Sequence, residues 1–187
     1  MYLVMGITGK VGGATARHLL KQGKQVRALV RNREKAAKWA DLGVELVDGD
    51  WNDAVAIAAA LKGVEGAFVM LPAVWAPSPD YREAKGVIAN YVEALTKAVP
   101  PRVVALSSMG ANRTKGLGMI TALSLMEQGF RRLQSPSRLC GPAAFSKTFF
   151  LAYRPPGAEP CRCSTILQTG NRQWSPQTTS AQRWQSF

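Results

Sequence analysis

GITGKVGG, residues 6 to 13, stands between an apolar run, YLVMGI (2 to 7), and a helix-patterned segment, VGGATARHLLKQG (11 to 23). Its glycines Gly6, Gly9 and Gly12 fall three apart. At a strand-to-helix turn such glycines let the backbone bend sharply, let a pyrophosphate approach with no Cβ in its way, and let the helix pack on the strand. The N–H groups that open the helix have no partner inside it and can face an anion. The triplet alone also fits an ordinary tight turn, so its context decides the reading.

Four more apolar segments follow: QVRALV (25 to 30), VELVDG (44 to 49), GAFVML (66 to 71) and RVVALSS (102 to 108). Between them lie REKAAKWADLG, DAVAIAAALKG and DYREAKGVIANYVEALTKAV, and GLGMITALSLMEQGF (116 to 130) predicts a fifth helix. Three of the first four helices end at a glycine, Gly23, Gly43 or Gly63, which suits the left-handed residue after a last turn. Parallel strands joined by crossover helices are buried on both faces and read as nearly continuous apolar runs, as these do. The alternation predicts an α/β Rossmann fold with a doubly wound parallel sheet, and it carries no solenoid-length repeat. In that setting the glycine loop is read as a dinucleotide site.

The end of the second strand selects the dinucleotide. An Asp or Glu there takes the ribose hydroxyls of NAD, but LVRNREKAAK has Arg31, Arg33 and Lys35 with no acid before Glu34. A carboxylate repels a 2′-phosphate, whereas a guanidinium can bind one as a fork. NADP(H) is expected, with NAD(H) the less favoured alternative. Arg33 and Lys38 are read as solvated helix positions.

The formal charge of +12 would suggest an anionic partner, but its location argues otherwise. Residues 1 to 130 hold 16 Lys/Arg against 11 Asp/Glu, whereas residues 131 to 187 hold 8 against 1. Cys140, Cys161, Cys163 and six of the eleven prolines also lie after residue 130. Two compositions meet there. The expected organisation is a nucleotide-binding domain over 1–130 and an irregular, disordered tail over 131–187, which leaves the sheet incomplete at its C-terminal side. No metal site is expected, since the C-x-C of Cys161 and Cys163 lacks a second ligand pair. The first strand begins directly after Met1 and no apolar run reaches spanning length, so a cytoplasmic protein with no membrane partner is expected.

GITGKVGG, ALVRN, VDGDWND, ALKGVEGAFVMLP and RVVALSSMGA, in this order and spacing, resemble the NmrA-like group of atypical short-chain dehydrogenases/reductases over about residues 1 to 130. The resemblance implies a Rossmann fold binding NADP(H), with Thr8, Lys10 and Val11 of the glycine loop at the phosphates and Arg31 at the 2′-phosphate. It also implies Asp50 and Trp51 beside the adenine, Met70, Leu71 and Pro72 along the ribose and nicotinamide path, and Ser107 near the nicotinamide. Reductases of the broader superfamily add a Tyr about a dozen residues after that serine and a Lys four later, the Lys lowering the phenol's pKa. Here Thr121 and Leu125 stand near those positions, and Lys115 falls before the helix. The catalytic residue is therefore unknown. Ser107 and Ser108 are read either as polarising a carbonyl or as structural hydroxyls, Glu127 as facing the cleft or solvent, and His18 as an ordinary helical residue.

The tail departs from the family pattern, in which a strand like PVAFVRPGSF comes next. Back-translating Arg132 to Arg154 with allowed codons, and reading from the third base of the first codon, yields TAIPVAFVRPGSFLENFFLGLS. The same shifted frame after Glu159 yields ALPVFYNPTDRQPPMVPTDHIGAEMAKL. We read residues from about 131 onward as translated out of frame, which accounts for the Arg, Pro and Cys and removes nucleic acid as a partner. Two function classes remain. One is a reductase moving hydride from NADPH to a small carbonyl or quinone, impaired in this chain; the other is a non-catalytic NAD(P) sensor that signals to a protein partner.

Overall fold

The alternation of apolar runs and helical segments folds as a sheet covered on both faces. The computed structural model describes residues 1–108, 110–113, 116–131 and 133, together with the backbone of 148–153. Five strands, β1 (Tyr2–Met5), β2 (Val26–Val30), β3 (Glu45–Asp48), β4 (Gly66–Val69) and β5 (Val103–Ser108), run parallel. Five helices, α1 (Lys10–Lys21), α2 (Arg33–Ala40), α3 (Ala54–Leu61), α4 (Arg82–Ala98) and α5 (Met119–Arg131), connect or follow them. The strand order β3-β2-β1-β4-β5 reverses direction between β1 and β4. That reversal opens a crevice at the carboxyl ends of the strands, where doubly wound sheets take their ligands.

Side-chain alternation along each strand divides the core between the two faces. Tyr2, Val4, Phe68 and Val104 pack with Leu19 of α1 and Trp39 of α2. Leu3, Met5, Ala67, Val69, Val103 and Ala105 pack with α3, α4 and α5 through Ile57, Tyr91, Met126 and Phe130. The helix ends follow local chemistry. Gly23, Gly43 and Gly63 take φ of +70°, +80° and +73° after α1, α2 and α3, the left-handed geometry expected of them. Asp53 caps α3, its Oδ1 accepting from the N–H groups of Val55 at 2.9 Å and Ala56 at 3.0 Å.

A sixth strand joins the five parallel ones at the sheet edge. β5 is not bare: β6 (Thr148–Tyr153) pairs with it along its length, Val103 opposite Tyr153 and Ser108 opposite Thr148. β6 runs antiparallel, whereas a further β-α-β step would give a parallel strand. A strand edge presents unpaired N–H and C=O groups, and TFFLAY is the kind of apolar, aromatic run that pairs with one. Lys115, the three cysteines and most of the tail lie outside the described residues. No helix among the described residues is long and apolar enough to cross a membrane.

Replacing the α3 cap, Asp53→Ala, is expected to lower stability by about 1 kcal/mol, measured as a shift of the urea midpoint at unchanged slope. An unchanged midpoint would show that the cap contributes nothing.

Candidate nucleotide-binding site

The glycine loop is built on close backbone approach. Gly6 has φ +66°, and its carbonyl accepts the N–H of Gly9 at 2.9 Å. Gly9 then caps α1 with extended backbone, and the N–H of Gly13 reaches the Gly9 carbonyl at 3.0 Å. A Cβ on Gly12 would lie 2.3 Å from the Gly6 oxygen and 2.6 Å from the Met5 oxygen, so only glycine lets α1 start against β1. No side chain caps this helix end and no acid occupies its first turn. The opening N–H groups, those of Lys10, Val11 and Gly12, therefore suit an anion. Thr8 and Lys10 are exposed and Val11 half-buried.

Beside the loop is a cleft of about 340 Å³. Its walls are Gly6, Ile7 and Thr8 of the loop, Arg31, Asn32 and Lys35 after β2, and Gly49 and Trp51 after β3. The guanidinium of Arg31 lies 3.8 Å above the Trp51 ring centroid and its Nε is 3.6 Å from Asp50. This stack keeps a cation at the cleft with 59% of its side chain exposed, so its charge stays open to an anion. Arg33 is held elsewhere: its Nε is 2.8 Å from both Asp48 oxygens and its Nη2 donates to the Leu46 carbonyl at 3.0 Å. Of the three cations after β2, Arg31 and Lys35 thus line the cleft, and Arg33 ties α2 to the edge strand β3.

Across the strand-order reversal, Met70 packs its side chain on Gly6; its Sδ lies 2.9 Å from where a Gly6 Cβ would stand. The Met70 carbonyl accepts from the Tyr91 hydroxyl at 2.9 Å. Burial, with a smaller effect of Asp50, pushes the Tyr91 phenol well above its ordinary range, so it stays a donor at any physiological pH. Leu71 is buried behind Met70, and Pro72 begins a loop on which Trp75 stands 85% exposed. Ser107 is buried near the end of β5, and its Oγ donates to Glu127 Oε1 at 2.6 Å. The other Glu127 oxygen takes Arg131 at 3.3 Å. The Ser107 proton is thus committed to Glu127, which disfavours Ser107 as the group that polarises a carbonyl.

Where the broader superfamily has its Tyr, Thr121 is buried and accepts the Leu117 N–H at 3.2 Å, a helix-start contact. His18 lies in the last turn of α1, at the end away from the glycine loop. The sequence pointed to Lys35 among the cations after β2, but not to Asn32 as part of the cleft wall. The signal was present: Asn before a helical run predicts a cap, and Asn32 Oδ1 accepts the Lys35 backbone N–H at 2.9 Å.

The residues present fit a dinucleotide. The loop leaves no room for a Cβ where α1 meets β1, the helix start is free of acids, and a cation stacked on an indole borders the adjoining cleft. A family model described as NAD(P)H-binding matches residues 6–132. A putative dihydroflavonol 4-reductase of Synechocystis sp. is 34% identical over 121 residues, 63% of this chain and 35% of the relative. The NADP(H) complex of Citrobacter sp. triphenylmethane reductase superposes with a TM-score of 0.61 at 29% identity, covering 71% of this chain and 46% of that one. An NADPH complex of an Escherichia coli NADPH-dependent quinone oxidoreductase gives 0.60 at 25%, covering 72% and 46%. The chain therefore spans about a third to a half of the length of these relatives.

Gly12→Ala should destabilise the fold by about 1–3 kcal/mol, the usual cost of overpacking. Gly9→Ala, whose Cβ would be 3.3 Å from the Gly6 oxygen, should cost less. Denaturant unfolding of the two variants checks the order, and equal costs would contradict the close approach described.

Proposed function

Starting from a chain that belongs to the NAD(P)H-binding family, its NmrA-like motifs included, we propose that it binds NADP(H) in preference to NAD(H). The observation that carries this reading is the basic wall after β2: Arg31 and Lys35 border the cleft, and no carboxylate ends β2 where NAD sites place one. A guanidinium and an ammonium there suit a 2′-phosphate. The glycine loop would hold the pyrophosphate through Thr8, Lys10, Val11 and Gly12, Asp50 and Trp51 would border the adenine, and Met70 to Pro72 would border the ribose and nicotinamide path.

For the parent protein we infer a reductase of a small carbonyl or quinone. NADPH supplies the hydride when bound, and this chain's residues bind and orient it. The exposed Trp75, on the loop beside the strand-order reversal, offers an aromatic face to a flat acceptor. The named quinone and dye reductases among its structural neighbours support that substrate class. A second reading, an NAD(P) sensor without turnover, is favoured by one observation. The positions that carry the superfamily's acid hold Thr121, engaged with the Leu117 N–H, and Leu125. In this chain we infer nucleotide binding with impaired catalysis, because the segment from about residue 131 reads as out of frame and the substrate-lobe pattern is recovered only in the shifted frame.

Replacing both Arg31 and Lys35 by Ala should weaken NADPH binding at least about 10-fold, by loss of charge-assisted hydrogen bonds. NADH binding should move little; calorimetric titration reads both. Equal loss for the two coenzymes would remove the 2′-phosphate role. NADPH oxidation with quinones and aldehydes, assayed on the protein with its reading frame restored after codon 131, separates the classes: a sensor shows a thermal shift with NADPH and no turnover, a reductase shows both. The coding DNA through codon 131 is expected to show a missing base, and an intact frame there would refute the shift.

A further inference from the structure

Two neighbouring side chains of α4 reach the two walls of the site just described. Asn90 Nδ2 donates to the Trp51 carbonyl at 3.2 Å, and Tyr91 Oη donates to the Met70 carbonyl at 2.9 Å. Consecutive helical residues point about 100° apart, so one helix can serve two different loops from adjacent positions. Asn90 reaches the segment after β3, where Trp51 carries the Arg31 guanidinium on its ring. Tyr91 reaches the segment after β4, where Met70 lies on Gly6. Tyr91 is itself fixed: it is 1% exposed and meets the Phe130 ring of α5 edge-on at 6.5 Å.

The strands themselves end before these carbonyls, β3 at Asp48 and β4 at Val69, so sheet pairing does not hold them. We propose that Asn90 and Tyr91 are positioning residues for the nucleotide, Asn90 setting the adenosine wall through Trp51 and Tyr91 setting the ribose–nicotinamide wall through Met70. Neither touches the nucleotide; each acts through a backbone carbonyl. This rests on the NADP(H) reading above.

The division of labour predicts a split that general destabilisation would not produce. The probes are NADPH and adenosine 2′,5′-bisphosphate, which carries the adenosine half alone, titrated into the full chain by calorimetry. Asn90→Ala should weaken both ligands by a similar factor, about 5-fold, as expected for one displaced wall. Asn90→Asp, which keeps the shape and removes the donor, should behave the same way. Tyr91→Phe should weaken NADPH by about 5-fold and leave the bisphosphate within about 2-fold. If Tyr91→Phe weakens the two ligands equally, the Tyr91 role is overturned; if Asn90→Ala leaves the bisphosphate unchanged, the Asn90 role is. If the wild-type chain takes up NADPH and the variants show no such split, this proposal alone is sunk. One that takes up neither ligand sinks the NADP(H) reading and this proposal with it.

Discussion

The fold and the site both depend on one close contact, that of Gly12 against the carbonyls of Gly6 and Met5. The distance from a hypothetical Gly12 Cβ to the Gly6 oxygen, 2.3 Å, leaves no alternative residue there. Because the first turn of α1 can press onto the end of β1, its N–H groups open directly at the carboxyl edge of the sheet. The strand order reverses beside β1, so this helix end stands at the crevice instead of behind a loop. Every other site feature is arranged around that point: the cations after β2 on one side, Met70 and the β4 loop on the other.

The cations show how local pairing decides which charges can act. Arg31, Arg33 and Lys35 are close in sequence, yet Arg33 is clamped on Asp48 and the Leu46 carbonyl at the outer strand. Exposed ion pairs of this kind add little stability, typically 0–1 kcal/mol. Their effect here is directional, since the clamp holds one guanidinium at β3. Arg31, stacked on Trp51 with a longer 3.6 Å approach to Asp50, keeps its charge at the cleft. The same principle acts at β5, where Glu127 holds the Ser107 proton and Arg131 holds the other Glu127 oxygen. A catalytic acid is not found in that pairing, in keeping with the absence of a Tyr and Lys on α5.

The parallel sheet, its helices and the glycine loop could be read from the chain because each rests on local rules: apolar runs buried on both faces, glycines after helix ends, and a triplet between strand and helix. Asn32 and Asp53 were readable as caps for the same reason. What could not be read depends on contacts between distant segments. Nothing near Arg33 announces Asp48, nothing near Tyr91 announces the Met70 carbonyl, and Glu127 lies 20 residues from Ser107. β6 was missed for a related reason. Its pairing depends on the unfilled edge of β5, and its antiparallel direction breaks the βα alternation that made the rest predictable.

Amide hydrogen exchange with and without NADPH addresses the central claim most directly, because the backbone itself is said to hold the phosphates. Saturating NADPH should slow exchange at the amides from Gly6 to Gly13 more than at those of α3 or the end of α1. No change in that loop, or protection confined to other segments, would contradict the account.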